Sequence, residues 1–447
     1  MELNLTKTKV EIELSPAKRY SFLVGVNERS HTAQNQFVNL LSDKKDRHTL
    51  QEIEEAFNIE TVTKEFFLEY RDLFIRTKKY LDKILSVDSK VKSEFEKKGV
   101  DSVNFSKKLL GQIVFLYFLQ KKGWFGVARD DRWGEGSKKF LRELFESKHG
   151  KYNNFYNDIL EPLFYEALRI DRSHDDHYYS RFNCKIPFLN GGLFDPIGKD
   201  GGYDWVKTDI TLPNELFSNT IKTTTGDIGD GILDIFDRYN FTVIEDEPLE
   251  KEVAIDPELL GKAYEKFNAI RSDNFDEYLK ALKSGKKGEE SKFNKQYGVY
   301  YTPREIVHYM CQQSLVNYLT TKLKDKASKE AIEFLIIEGD KFIEHLRIAK
   351  EKNEESNNYR GDYKEDKRFV ELKNNADDLD KALSSVNVCD PAVGSGAFPV
   401  GMMSEIIKAR MFFVLTNCLL GQYFNPHNDK VERNPYNYKR DCIENSL

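Results

Sequence analysis

Residues 386–401 read VNVCDPAVGSGAFPVG: a short apolar run, an acid, two glycines and then the start of an apolar segment. The run predicts a short buried strand ending at Asp390, followed by a tight turn through Pro391, Gly394 and Gly396. A helix is expected over about 398–420. Such a strand–loop–helix crevice, at the carboxyl end of a strand, is where ligands sit in open α/β sheets. Glycines let the backbone approach a ligand closely, and the helix N-terminus offers unpaired N–H groups to a carboxylate. The spacing is not Gly-x-Gly-x-x-Gly, and no Gly-Lys-Ser/Thr follows, so neither a dinucleotide nor a Walker-type phosphate loop is indicated. An acid directly ahead of the turn repels a diphosphate but suits an ammonium group. A zwitterionic amino-acid moiety meets both requirements. A plain βα turn with no ligand is the alternative.

The rest of the chain frames this segment. With 447 residues there is room for two or three domains, and 40% hydrophobic with 32% charged residues is a globular balance. No apolar run approaches the length of a bilayer span, and residues 1–14 mix Glu2, Lys7, Lys9, Glu11 and Glu13 with apolar residues, unlike a secretory signal. The five cysteines form no Cys-x-x-Cys pair, which argues against a disulfide framework or zinc site and points to a reducing compartment, the cytoplasm. The net charge of −6 does not itself predict a nucleic-acid binder, although a local basic cleft can sit on an acidic protein.

Residues 1–60 read as an extended lead-in followed by short helices. Phe66, Tyr70, Leu73, Phe74, Leu81, Ile84 and Leu85 recur at helical spacing, and 105–122 predicts a second, more apolar helix. Further helices are expected over 138–146, 152–168, 304–324 and 329–350, with a short strand at 241–244. Asp256-Pro257-Glu258 reads as the capped start of a helix to about Phe267. Lys-rich 280–295 reads as an exposed loop into a new domain, and 351–380 as a solvated, partly helical insertion.

The segment DPAVGSGAF, comprising Asp390, Pro391, Ala392, Val393, Gly394, Ser395, Gly396, Ala397 and Phe398, resembles the S-adenosylmethionine motif of the DNA N6-adenine methyltransferases. A second element, YGVYYTPREIV at 297–307, resembles that family's other cofactor motif, a turn at Tyr301, Thr302 and Pro303 ahead of a helix. The resemblance implies that this turn packs over the methionine end of the cofactor, with Thr302 both contacting it and capping the helix. A simple capping box between Thr302 and Glu305 is compatible with that role. KRYSFLVG at 18–25, residues 110–125, IPFLNGGLF at 186–194 and ELLGKAYEKF at 258–267 resemble the helical region of large type IIG restriction–modification enzymes. Those fuse an endonuclease, a helical connector, a methyltransferase and a target-recognition domain.

The family holds its flipped adenine with Asn/Asp-Pro-Pro-Tyr/Phe, whose acceptors bind the amine and whose ring stacks on the base. No such segment occurs; Asn434-Pro435-Tyr436 lacks one proline and reads as a turn or helix start, so no catalytic residue is assigned. The acid expected to bind the ribose hydroxyls would fall just past Leu447, which leads to the expectation of a chain cut within its methyltransferase domain. Asp362 with Glu371-Leu372-Lys373 mimics a metal-dependent nuclease, yet its polar, helix-like setting reads as a solvated face. The eight histidines form no His-Glu-x-x-His spacing, and the 13% aromatic content reads as core.

The expected architecture is a mostly α-helical region followed by the start of an α/β Rossmann-like methyltransferase domain. Residues 1–250 would be connector-like, 251–290 a linker helix and charged loop, and 291–447 the incomplete methyltransferase domain. By resemblance the function is site-specific DNA adenine N6-methylation within a restriction–modification system. The cofactor would be S-adenosylmethionine, and the partners double-stranded DNA and the remaining methyltransferase and target-recognition domains, on the same or another polypeptide. The rival is a non-catalytic helical module that binds DNA or a partner and keeps a vestigial cofactor pocket.

Overall fold

The computed structural model describes residues 2–6, 9–13, 19–22, 24–25, 30–42, 48–57, 59–189, 191–223, 226–241, 250–252, 254–255, 260–261, 267–283, 293, 295–297, 302–324, 326–355, 366–393 and 396–420. Helices dominate them, and the chain divides into two compact units, 1–300 and 301–447. No helix among the described residues is long and apolar enough to cross a membrane.

The first unit is built on the helices Ile59–Val87, Ser89–Lys98 and Ser102–Lys121. Asp88 and Asp101 start the second and third by accepting hydrogen bonds from the Lys90 and Asn104 N–H groups, both at 2.9 Å. The periodic residues Phe66, Tyr70, Leu73, Phe74 and Leu81 are buried, joined by Phe236, Phe241 and Phe267 in an aromatic-rich core. Rings such as Phe66 and Tyr239 meet edge to face, with centroids 5.1 Å apart. The expected 138–146 helix is Phe140–Phe145. The expected 152–168 helix is present as a continuous helical run over 155–167, in which Tyr156–Leu160 and Leu163–Ala167 are π-helical turns. Strand pairing is short: Glu2–Thr6 with Lys9–Glu13 antiparallel, Arg19–Ser21 with Glu250–Glu252 parallel, and Tyr178–Tyr179 with Cys184–Lys185 antiparallel. The strand expected at 241–244 and most of the helix expected from Asp256 lie outside the described residues; Phe241 itself bridges Ile255.

The second unit packs Arg304–Lys322, Lys329–Glu333, Gly339–Glu355, Lys367–Asn374, Ala376–Ser384 and Ala397–Leu420 around one core. Two expectations are corrected here. The region 351–380 is not simply a solvated insertion: Phe369, Leu372, Ala376, Leu379 and Leu383 form a buried stripe against Phe412 and Phe413, and Asp380 is buried with them. Residues 386–390 are not a buried strand. They carry no ladder, and while Val386 leans on the core, Val388 is 50% exposed. A strand needs a neighbour to take its N–H and C=O groups, and no strand occurs among the described residues of this unit. Among its described residues the unit therefore shows a helical bundle and no Rossmann sheet.

Candidate cofactor site

The loop after residue 386 has a definite local geometry. Asp390 Oδ1 accepts the Ala392 N–H at 3.0 Å, closing an Asx turn. Gly396 donates its N–H to Val393 C=O at 2.8 Å and has φ of +81°, a left-handed conformation that costs a residue with a side chain strain. The helix Ala397–Leu420 starts immediately after it, with Val400 N–H bonded to Gly396 C=O at 3.1 Å. That leaves the Ala397 and Phe398 N–H groups ahead of the first intrahelical bond, and Pro399 has no N–H. Phe398 is half-buried, and Pro391 and Ala392 are exposed.

Asp390 Oδ2 is shielded from solvent and has no hydrogen-bond partner among the described residues. A buried carboxylate oxygen without a donor is costly. A Cβ placed on Gly396 would meet nothing within 4 Å, so the space beside the turn is open. A carboxylate with one oxygen lacking a donor among the described residues, beside open space and a helix N-terminus, fits the ammonium and carboxylate of an amino-acid moiety. Gly394, Ser395 and Tyr301 lie outside the described residues.

Thr302 and Pro303 are exposed and lead into Arg304–Lys322. The expectation that Thr302 caps this helix is corrected. Pro303 occupies the cap position, no side chain caps it, and the Pro303 C=O receives the Ile306 and Val307 N–H groups, each at 3.0 Å. Pro303 has a helix-compatible φ of −55° but an extended ψ of 145°, so the helical backbone begins only at Arg304.

The described residues join the helices that follow the two motifs. The Cys311 thiol points to the Phe398 carbonyl at 3.7 Å, and Gly401 lies against Val307 and Cys311. One turn on, Glu405 is almost fully buried: its Oε2 accepts from Gln312 Nε2 at 3.0 Å and its Oε1 lies 2.5 Å from His308 Nδ1. Arg304 Nε in turn donates to His308 Nε2 at 3.2 Å, which leaves the imidazole proton on Nδ1, facing Glu405. Lys408 Nζ approaches Glu405 Oε1 at 3.4 Å and Asp340 at 3.6 Å. Burial pushes the Cys311 thiol above its usual range, and the Glu405 charge adds to the effect.

At 27% identity, 87% of this chain aligns with a Methanocaldococcus jannaschii protein whose name proposes a type II restriction enzyme and methyltransferase. The chain covers 30% of that relative's length. No protein-family model and no solved structure matches the chain.

The residues of the relay, Arg304, His308, Gln312 and Glu405, together with Gly401, were not singled out in the sequence. One signal was present: Glu405 is the sole acid in residues 397–420, a mostly apolar helix, and an acid in such a setting needs a partner. Among the decoys, Asp362 and Asn434-Pro435-Tyr436 fall outside the described residues. Glu371 has a structural partner, accepting from the Ser328 N–H at 2.5 Å and its hydroxyl at 2.8 Å.

Proposed function

We propose that this chain is the cofactor-binding part of an S-adenosylmethionine-dependent DNA methyltransferase of a restriction–modification system, acting on adenine N6. The observation that carries the reading is the Asp390 carboxylate, whose buried Oδ2, beside the glycine turn, lacks a donor among the described residues. The restriction-enzyme and methyltransferase name of the 27% identical relative supports the same direction. Asp390 would hold the cofactor's ammonium. Pro391 and Ala392 shape the turn, and Gly394, Ser395 and Gly396 would let the backbone approach. Phe398, with the helix start, would border the site, while Tyr301, Thr302 and Pro303 would cover the methionine end. When bound, the cofactor supplies an electrophilic methyl group on its sulfonium. Double-stranded DNA is the proposed substrate, and the base-holding and target-reading parts come from further domains on the same or another polypeptide.

Equilibrium dialysis with labelled S-adenosylmethionine tests the reading. The folded chain should bind it weakly, and Asp390→Ala should weaken binding roughly tenfold or more, the scale of a lost charged hydrogen-bond partner. No binding by the folded wild-type chain would sink the proposal. With duplex DNA present, little label should reach adenine, because no Asn/Asp-Pro-Pro-Tyr/Phe segment is available to align the amine. Robust incorporation would instead assign the catalytic role to Asn434-Pro435-Tyr436.

A further inference from the structure

Arg304 is the first residue of the helix that follows Thr302 and Pro303. The residue is half-buried, and its guanidinium donates through Nε to His308 Nε2 at 3.2 Å and forms no ion pair with a carboxylate among the described residues. The other arginines of this unit with described ion pairs have acidic partners: Arg347 with Glu344, Arg368 with Asp366 and Glu338, Arg410 with Asp380.

The guanidinium is also held rather than loose. His308 accepts from Arg304 only because its proton sits on Nδ1, and that proton is directed at Glu405. Glu405 is anchored by Gln312 Nε2 at 3.0 Å and comes from the helix that begins at the glycine loop. A chain of hydrogen bonds thus runs from the glycine-loop helix through Glu405 and His308 to Arg304. An arginine fixed through Nε keeps its Nη1/Nη2 edge free, a planar fork matched to the two oxygens of a carboxylate. Pre-ordering the side chain removes part of the rotamer entropy that binding would otherwise cost.

We infer that Arg304 is a ligand-binding residue that takes the carboxylate of the amino-acid end of the cofactor, with His308 and Glu405 as positioning residues. The inference rests on the proposed function and adds the complementary half of a zwitterion receptor: Asp390 for the ammonium, Arg304 for the carboxylate. Arg304, with no acidic partner among the described residues, and Asp390, whose Oδ2 has no donor among them, belong to the two segments that resemble cofactor motifs, and they are of opposite sign, as such a ligand requires.

The test uses S-adenosylmethionine and its decarboxylated analogue, measured by equilibrium dialysis against the full chain. Wild type should prefer the intact ligand. Arg304→Ala should weaken binding of the intact ligand roughly ten- to a hundredfold, the scale of a lost charged hydrogen bond, and leave the decarboxylated analogue's affinity unchanged, so that the preference disappears. Arg304→Lys keeps the charge without the fork and should retain part of the preference, which guards against misfolding of the alanine variant. Glu405→Gln should reduce the preference without abolishing binding of the analogue. A merely structural Arg304 would lower both affinities together, and that result overturns the inference, as does wild-type binding that ignores the carboxylate. Failure of the folded wild type to bind either ligand overturns the proposed function as well.

Discussion

Gly401 and Val307 meet where the two helices of the candidate site cross: a Cβ on Gly401 would stand 2.7 Å from Val307 Cγ1 and 3.5 Å from Cys311 Sγ. The absence of a side chain is therefore a packing requirement, and it brings the glycine-loop helix against the helix that follows Pro303. Gly401→Val should destabilise the protein by about 1–3 kcal/mol, the usual range for overpacking a filled contact. Combining Gly401→Ala with Val307→Ala should recover part of the loss seen in Gly401→Ala alone, because it removes the clashing methyl groups. Urea unfolding followed by circular dichroism reads both. A Gly401→Val variant as stable as wild type would show that the helices do not meet here.

The same unit holds a buried ion pair. Arg410 Nε donates to Asp380 Oδ1 at 2.7 Å and Nη2 to Oδ2 at 3.3 Å, with the side chains only 8% and 3% exposed. Removing one partner strands a charge in the core, so Asp380→Asn or Arg410→Met should each cost about 3–5 kcal/mol. Replacing both, as Asp380→Leu with Arg410→Met, should cost less than the sum of the single changes, since the desolvation penalty goes with the charges. Additive losses in thermal unfolding would show that the two residues act independently.

In the first unit, Glu161 is fully buried among tyrosines, with Oε1 accepting from the Tyr203 hydroxyl at 2.5 Å and Oε2 without a hydrogen-bond partner among the described residues. Burial holds its carboxyl well above the usual value of 4.5; the Tyr203 hydrogen bond opposes this, and the Asp209 charge reinforces it. The folded state thus retains a proton that the unfolded state releases. This contribution to stability is fully present below the unfolded value and is lost as pH rises through the folded one. Glu161→Gln has no such proton to lose, so its melting temperature relative to wild type should climb between about pH 5 and 8. A difference that stays flat across that window would show that Glu161 ionises inside the fold at its ordinary value.

What was legible in the sequence follows from how local each interaction is. The helices Ile59–Val87 and Ala397–Leu420 appear as 3.6-residue periodicity or as a long, mostly apolar stretch, because their core contacts are set by neighbouring turns. The π turns at Tyr156–Leu160 and Leu163–Ala167 were not legible; Glu161 lies between them and bonds to Tyr203, 42 residues away. In residues 367–384 the charges masked the apolar stripe of Phe369, Leu372, Leu379 and Leu383. The strand expected at 386–390 depends on pairing partners, which no local pattern guarantees. At the site, the glycine turn and its acid were visible as a motif. The link from His308 to Glu405 spans 97 residues and has no local signature.

Cys389 adjoins Asp390 and is exposed, whereas Cys184 and Cys311 are each only 2% exposed. Burial pushes the Cys184 thiol up to about 12, so its nucleophilic thiolate is scarce near pH 8, and the Cys311 thiol is pushed up as well. Brief treatment of the native chain with iodoacetamide at pH 8 should therefore modify Cys389 well ahead of Cys184 and Cys311, read by peptide mass spectrometry. Comparable native labelling of Cys184 would contradict its burial. The same experiment becomes a footprint of the proposed site. Asp390 is to hold the ligand's ammonium one residue away, so saturating S-adenosylmethionine should slow alkylation of Cys389. An Asp390→Ala variant, measured at the same ligand concentration, should lose that protection while alkylating at the unprotected wild-type rate without ligand. If saturating ligand binds the wild-type chain, as dialysis would show, and yet leaves the Cys389 rate unchanged, the ligand sits elsewhere than the Asp390–Gly396 turn.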